Sequence, residues 1–302
     1  MILVGVGTLI VGSLLWSFKG GGTPMDTSSQ RLRVAATIFP LYDIAKQIAG
    51  SDVEVKLILP PGSEPHSFDP SPSLIRDLQT TDIVFAIGLG FDQWIVPITE
   101  GTDAQLVTAH QGIALMDVSE PITDEGSEEE EHTGPTDPHY WLSIPNAKIM
   151  AENVAKTLSL ADAEHADAYQ TRLTEYVREL DGVDAEIRAR LNSLSDKNIV
   201  TFHDAWYYFA KEYGLEVVGS FEPTAGREPT PKYLTLLSQV IERASTKTLY
   251  TEPLFSDAAI EAFAEDEGLA LAAIDDIGGS KTLNSYIALM RSNAQTIHDN
   301  QD

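Results

Sequence analysis

Three of the seven histidines occur in similar surroundings, each close to the end of a predicted strand or the start of a predicted helix. His66 follows a strand-like segment in the loop "PPGSEPHSFDPSP", His139 precedes a helix in "DPHYWLSIPNA", and His203 comes directly after "NIVTF". Asp275 follows the apolar segment "LALAAI" in the same way. In doubly wound α/β folds, ligands bind at the carboxyl ends of strands, because side chains from successive loops meet there. We therefore treat these four residues as one candidate site.

The residue types in this set suit a metal ion. Three imidazoles and one carboxylate match zinc, which takes four N or O ligands tetrahedrally at about 2.0–2.2 Å. The chain has no cysteine, so thiolate metal sites, cysteine nucleophiles and disulfides are excluded. Taken singly, each residue has another explanation, since a loop histidine is commonly structural or solvent-exposed and an aspartate after a strand is commonly a helix cap. Spacing alone leaves a joint metal site and separate structural roles both open.

The elements that must position these residues alternate between strands and helices from Leu32 onward. This alternation predicts an α/β fold with mainly parallel sheets flanked by helices on both faces. The predicted strands are Arg33–Phe39, Val53–Leu59, Asp82–Gly90, Asn198–Phe202, Leu215–Phe221, "KTLY" and Leu269–Ile274. The predicted helices are Leu41–Gly50, Ser71–Thr81, Pro145–Leu158, Ala161–Leu194, "DAWYYFAKEYG", Pro231–Ala244 and Asn284–His298.

The helix predicted over Ala161–Leu194 is long enough to join two lobes. Its apolar residues recur every three or four positions, so one stripe is buried along its length: Tyr169, Leu173, Tyr176, Leu180, Val183, Ile187 and Leu191. At 1.5 Å per residue it would extend roughly 50 Å. We therefore expect two similar lobes joined by one long rigid connecting helix. The expected segments are a signal or anchor with its linker (1–30), an N-terminal lobe (31–160), the connecting helix (161–194) and a C-terminal lobe (195–302).

The charge balance is strongly acidic, with 46 acidic and 20 basic residues and a formal net charge of −26. Such a surface repels phosphate backbones, so we expect no nucleic-acid partner. Part of the charge lies in Asp117–Asp137, which has no apolar periodicity and is interpreted as a solvated loop. Within it, Asp124–Asp137 carries seven carboxylates and His132, so weak cation collection stays open as an alternative.

The N-terminal segment Met1–Phe18 is an uncharged apolar run followed by Lys19 and a flexible polar linker. It is typical of an export signal or a membrane anchor, although about 17 apolar residues is near the lower limit for a membrane span. A basic start and an obvious cleavage site are missing. We expect an uncleaved anchor that holds the remaining chain outside the cytoplasm, at the cell surface or in the periplasm.

Five stretches in order along the chain resemble the metal-binding solute receptors of ABC importers for zinc and manganese, the zinc-uptake or cluster A-I binding proteins. They are "ATIFPLYDIAKQIAG", "LPPGSEPHSFDPSPSLIRDLQTTDIVFAIGLGFDQWI", "DPHYWLSIPNAKIMAENVAKTL", "VTFHDAWYYFAKEYGLEVVGSF" and "YTEPLFSDAAIEAFAEDEGLALAAIDDIGG". The resemblance extends from about residue 33 to residue 298. It implies two α/β lobes joined by a long rigid helix, with the metal held in the cleft between them.

The resemblance also implies roles for particular residues. The family's three histidine ligands correspond to His66, His139 and His203, and its acidic ligand to Asp275, with Asp276 or water as alternatives. Glu252 corresponds to a recurrent family glutamate that either orients a ligand or makes a loop hydrogen bond. The tryptophans and tyrosines beside the ligands are expected to fill the cores of the lobes.

The implied function is that of an extracytoplasmic, monomeric binding protein that delivers Zn²⁺ to a permease with a cytoplasmic ATPase. Family receptors for manganese tend to have glutamate in place of the third histidine, so His203 favours zinc, with Mn²⁺ or iron as the alternative. A zinc-dependent hydrolase is less favoured, because catalytic sites keep an open position and a general base such as that of HExxH, which is absent here. An adhesin with the same fold is the remaining alternative.

Overall fold

The computed structural model describes residues 31–117, 136–222, 228–253 and 258–301. The predicted anchor Met1–Phe18 and residues 124–135 of the acidic loop, including His132, lie outside these ranges. Residues 31–302 belong to one compact unit. Within the described ranges, no helix combines the length and apolar character needed to cross a membrane. Anchoring therefore stays a prediction from the sequence.

The N-terminal lobe contains a four-stranded parallel sheet in the order β2-β1-β3-β4. Its strands are β1 (Arg33–Ala36), β2 (Glu54–Leu57), β3 (Ile83–Ala86) and β4 (Gln105–Thr108). All four residues of β3 are buried, as expected for a central strand covered on both faces. The helices of this lobe are α1 (Phe39–Ala49), α2 (Pro72–Leu78), α3 (Val96–Glu100) and α4 (Ile144–Ala161). Short 3₁₀ helices occupy Gln93–Ile95 and Tyr140–Leu142.

The C-terminal lobe repeats this strand arrangement, with a parallel sheet in the order β6-β5-β7-β8. Its strands are β5 (Asn198–His203), β6 (Glu216–Glu222), β7 (Thr248–Thr251) and β8 (Ala270–Ala273). Its helices are α6 (Tyr207–Tyr213), α7 (Pro231–Ala244), α8 (Ala258–Glu267) and α9 (Tyr286–Gln301), while α5 (Ala166–Asn192) lies between the lobes in the chain. The predicted fold of two similar lobes with parallel sheets is confirmed.

The connecting helix α5 begins later than predicted. Asp162 has non-helical backbone angles (φ −136°, ψ 79°) and ends α4, and a 3₁₀ turn over Ala163–His165 separates it from α5. The Asp162 carboxylate accepts hydrogen bonds from the His165 ring (2.8 Å) and the Tyr169 hydroxyl (2.7 Å), which stabilise the break. The 27 residues of α5 therefore extend about 40 Å rather than 50 Å.

Helix α5 contributes the predicted apolar stripe to a core shared by both lobes. Of the seven stripe residues, only Leu173 is partly exposed. The helix packs against α1 and α4 of the N-terminal lobe and against α6 and α9 of the C-terminal lobe. One continuous apolar cluster therefore includes Ile44 of α1, Leu180 of α5 and Met290 of α9. Because this core is close-packed, the lobes cannot change their separation freely.

Candidate metal centre

Three histidines from distant parts of the chain converge, two from the N-terminal lobe and one from the C-terminal lobe. One ring nitrogen of each of His66, His139 and His203 lies within 4.8 Å of the other two. The ring centroids are 5.5 Å apart for His66 and His139, 6.3 Å for His66 and His203, and 5.4 Å for His139 and His203. Nitrogen ligands of a tetrahedral zinc ion lie about 3.3 Å from one another. Small side-chain rotations thus suffice for the cluster to hold one ion.

His139 is oriented by a carboxylate on its own loop. The Asp137 Oδ1 atom lies 2.8 Å from His139 Nδ1 and accepts the His139 backbone N–H at 2.9 Å. His139 Nε2 is buried and has no hydrogen-bond partner among the described residues. Burial, followed by the charge of His203, lowers the pKa of His139 to about 3. The imidazole is therefore neutral at physiological pH and directs a lone pair into the cluster.

Asp137 corrects the interpretation of the acidic loop as uniformly solvated. It is only 2% exposed, and its backbone N–H donates to the Met116 carbonyl (2.9 Å). The Tyr208 hydroxyl of α6 donates to the Asp137 carbonyl oxygen (3.3 Å), so a residue of the other lobe covers this end of the loop. Burial raises the pKa of Asp137 to about 7. The sequence feature that could have indicated this role is the position of Asp137 two residues before the candidate ligand His139.

His203 is the last residue of β5 and is oriented by Glu252, which directly follows the neighbouring strand β7. Glu252 Oε1 lies 2.7 Å from His203 Nδ1 and accepts the Trp206 indole N–H at 3.1 Å. Burial alone would lower the pKa of His203, but the charge and hydrogen bond of Glu252, together with the charges of Asp276 and Asp204, raise that pKa to about 10. Of the two roles expected for Glu252, the contacts match orientation of a ligand.

The His66 loop is held by contacts outside the cluster. The Glu64 carboxylate accepts the His66 backbone N–H (3.0 Å), and the Trp94 indole donates to the Pro65 carbonyl (3.0 Å). Phe91 packs edge-on against the His66 ring at 4.7 Å. Part of His66 reaches solvent, but desolvation of its ring, followed by the charges of His139 and His203, lowers its pKa to about 3. Little conformational freedom is left for this side chain to lose on binding an ion.

The predicted fourth ligand, Asp275, does not join the group of three histidines. Its Oδ1 accepts the backbone N–H groups of Ile277 (3.0 Å) and Gly278 (2.7 Å), so this oxygen closes the turn after β8. Asp276 is more deeply buried, and burial and the Glu252 charge raise its pKa well above the usual range while His203 opposes them. The role of Asp275 stays a prediction, with Asp276 as its competitor.

The tryptophans do more than fill the cores of the lobes. All three in the described part of the chain donate their indole N–H to a segment that carries a candidate ligand or its partner. Trp94 donates to the Pro65 carbonyl, Trp206 to the Glu252 carboxylate and Trp141 to the Asp276 carbonyl (2.7 Å). Their spacing from the histidines, two residues for Trp141 and three for Trp206, was a signal that the sequence interpretation did not use.

The other described histidines, His110, His165 and His298, lie outside the cluster. The ring nitrogen Nδ1 of His110 lies 3.3 Å from the Ile87 carbonyl oxygen. His165 contacts Asp162, and His298 contacts Asp299. All three are partly exposed.

Comparison with known proteins places the chain in a family. Residues 34–300 match the family of zinc-uptake complex component A, periplasmic (ZnuA). The manganese ABC transporter substrate-binding lipoprotein PsaA of Streptococcus pneumoniae serotype 4 is 30% identical over 97% of both chains. The zinc-binding protein AdcA of Streptococcus pyogenes serotype M6 is 27% identical over 88% of this chain, which spans only 55% of AdcA.

A crystal structure of ZnuA superposes with a TM-score of 0.80 at 25% identity, covering 90% of this chain and all of that one. These relatives are substrate-binding proteins of metal transporters and not enzymes. Substrate-binding proteins of this kind act with a permease and an ATPase. The chain therefore belongs to the zinc-uptake complex component A family, the zinc and manganese substrate-binding proteins of ABC importers.

Proposed function

We propose that this protein captures Zn²⁺ outside the cytoplasm and delivers it to an ABC permease driven by a cytoplasmic ATPase. The observation that carries the proposal is the convergence of His66, His139 and His203 within 4.8 Å. The Nδ1 atoms of His139 and His203 contact buried carboxylates, which leaves Nε2 of each ring as the metal-binding atom. Such a site is assembled before the ion arrives.

The preference for zinc rests on the donor atoms. Three imidazoles suit zinc, whereas manganese prefers an oxygen-rich set of ligands. The relatives named for manganese and for zinc, PsaA and AdcA, are similarly distant from this chain, so overall identity does not separate the two metals. His203 is the residue on which the preference depends, because it supplies nitrogen in place of a carboxylate oxygen.

A carboxylate of the Asp275–Asp276 pair completes the ligand set in this proposal. Asp276 is favoured, because its charge acts on the pKa of His203 and its carboxylate is buried. Asp275 remains the assignment that the family resemblance predicts, and one of its oxygens already accepts two backbone N–H groups. Water is the third alternative for the fourth position.

The cellular role follows from the family and from the N-terminal sequence. PsaA is named a lipoprotein, whereas this chain has no cysteine that could carry a lipid. We therefore assign the tether to the apolar segment Met1–Phe18, with the two lobes outside the cytoplasm as a monomer. A permease docks on this extracytoplasmic body, and no bond is made or broken in the substrate.

The test is metal content and competition measured by mass spectrometry on the full chain. We expect one zinc per chain, retained in excess manganese and lost when His66, His139 and His203 are all replaced by alanine. A matched control replaces His110, His165 and His298 by alanine and should keep its zinc. Stoichiometric zinc that persists in the first variant would contradict the site, and preferential uptake of manganese would contradict the assignment of the metal.

A further inference from the structure

Three buried hydrogen bonds join the two lobes beside the histidine cluster. The Trp141 indole of the N-terminal lobe donates to the Asp276 carbonyl at 2.7 Å, and the Tyr286 hydroxyl of α9 donates to the Trp141 carbonyl at 2.7 Å. The Tyr286 backbone N–H donates to Asp43 Oδ2 of α1 at 2.8 Å. We name these four residues, Asp43, Trp141, Asp276 and Tyr286, the interlobe brace.

The brace is shielded from water along its whole length. Trp141 and Tyr286 are 0% exposed, and Asp43 and Asp276 are 5% exposed. Hydrogen bonds in such surroundings are not exchanged easily for bonds to water, and a broken bond leaves a buried polar group unpaired. Opening the lobes at this point therefore costs more than separating an exposed contact.

Apolar contacts keep the brace in place on the side of the Asp276 loop. Gly278 and Gly279 have positive φ angles (73° and 82°), and a Cβ atom on either would lie 3.1–3.2 Å from Phe39 of the other lobe. On the opposite side, the Trp141 ring packs against Phe91 with centroids 4.9 Å apart. The Asp276 loop is thus held against the N-terminal lobe by close packing as well as by hydrogen bonds.

The brace connects the segments that carry candidate ligands of the two lobes. Trp141 follows His139 by two residues, and the two rings lie 5.2 Å apart. At its other end, the indole holds the backbone of Asp276, beside the acidic pair that supplies the fourth ligand. A change in the length of the brace would move the carboxylate relative to His139 and so change the size of the site.

We propose that Tyr286 and Trp141 are positioning residues, which hold the ligands of the two lobes at the separation that the ion requires before it binds. This inference rests on the proposed metal-binding function. When the site is already closed before the ion binds, none of the binding free energy is used to close it. When only a fraction of the molecules is closed, the apparent dissociation constant rises in inverse proportion to that fraction.

The test uses the full chain with Tyr286→Phe, which removes one hydroxyl and leaves the Trp141 carbonyl without that donor. The matched control is Tyr250→Phe, because Tyr250 is equally buried in the C-terminal lobe and its hydroxyl bonds to Ile297 and Gln301 instead. Zinc affinity is measured by chelator competition, ligand geometry by the visible spectrum of the cobalt-loaded protein, and stability by thermal unfolding without metal.

We expect Tyr286→Phe to bind zinc about tenfold more weakly than the unmodified chain, the factor that corresponds to one buried hydrogen bond. Tyr250→Phe should lose similar thermal stability and keep its zinc affinity and cobalt spectrum. Trp141→Phe removes the other donor and supplies a second measurement if Tyr286→Phe does not fold.

Zinc affinity and cobalt spectra equal to those of Tyr250→Phe in both brace variants would overturn the inference and leave the brace a structural contact. Absence of stoichiometric zinc from the unmodified chain would instead overturn the proposed function, and the inference with it. The two failures are therefore distinguishable within one set of measurements.

Discussion

Replacing Glu252 by glutamine tests whether a proton occupies the site before zinc does. Glu252 is the main cause that raises the pKa of His203, which is about 10, so the metal-free protein carries a proton on this buried pair at neutral pH. Zinc binds to neutral imidazole only, and the proton must leave when the ion enters. Glutamine has the same shape and no charge, so the strongest cause that raises the pKa of His203 is removed and that pKa falls, although Asp276 and Asp204 still oppose burial.

The size of the effect on zinc affinity follows from the difference between the pKa of His203 and the pH of the assay. At pH 8.0, removing a proton from a group with a pKa of about 10 weakens zinc binding by about 100-fold, or about 3 kcal/mol. The zinc affinity of the unmodified protein should therefore rise about tenfold per pH unit up to about pH 10. In Glu252→Gln this dependence of zinc affinity on pH should be weaker, because the pKa of His203 is lower.

Titration calorimetry in buffers of different ionisation enthalpy counts the protons released per zinc. At pH 8.0 Asp137, with a pKa of about 7, is mostly ionised and adds little. Glu252 also raises the pKa of Asp276, so both residues shift the count in the same direction. We expect Glu252→Gln to release fewer protons per zinc than the unmodified protein.

The control is Glu267→Gln, which removes one carboxylate from the same lobe. Glu267 accepts a hydrogen bond from Ser238 and is not among the groups that shift the pKa of the three cluster histidines. The number of protons that Glu267→Gln releases per zinc should equal that of the unmodified protein. Equal counts for Glu252→Gln and the unmodified protein would refute the assignment of the proton to the His203–Glu252 pair.

Two further predictions concern the fourth ligand and the connecting helix. Asp276→Asn should weaken zinc binding at least about tenfold, because a neutral amide is a poorer ligand than a carboxylate. Asp275→Asn should bind zinc nearly normally, because its amide oxygen still accepts the two backbone N–H groups. The opposite result in chelator competition would restore Asp275 as the ligand. Leu180→Ala in the middle of α5 should lower the free energy of unfolding of the metal-free protein by about 2–5 kcal/mol, because Leu180 is fully buried. A loss below about 1 kcal/mol in urea unfolding would contradict the shared core.

The sequence predicted the elements whose ends carry local signals. The bounds of α7, Pro231–Ala244, agree with the structure, because Thr230 caps its start through the Tyr233 N–H and Ser245 ends it in the left-handed conformation. By contrast, Asp162 interrupts the long helix although it fits the helical pattern. That break depends on hydrogen bonds to His165 and Tyr169, which composition does not disclose.

Residues positioned by long-range contacts were harder to predict. The rule that ligands gather at strand ends selected His203 correctly as a member of the cluster, because it ends β5. Asp137 was assigned to a solvated loop, because the segment Asp117–Asp137 has no apolar periodicity and includes four consecutive glutamates. Its burial depends on Tyr208, 71 residues away in the chain. The short strand β4 (Gln105–Thr108) was missed because four residues with a polar start carry little periodicity.

The electrostatics of the site explain how its buried acidic groups are accommodated without an ion. Glu252 and Asp276 bring buried acidic groups to one side of the cluster, and such groups are unstable next to one another unless a positive charge or protons neutralise them. The two neutral imidazoles, His66 and His139, do not supply that charge. The proton on His203 does, and in the proposed function zinc takes over this electrostatic role. Exchange of that proton for zinc would keep the acidic groups neutralised, so release of the ion from the proposed site would require His203 to be protonated again.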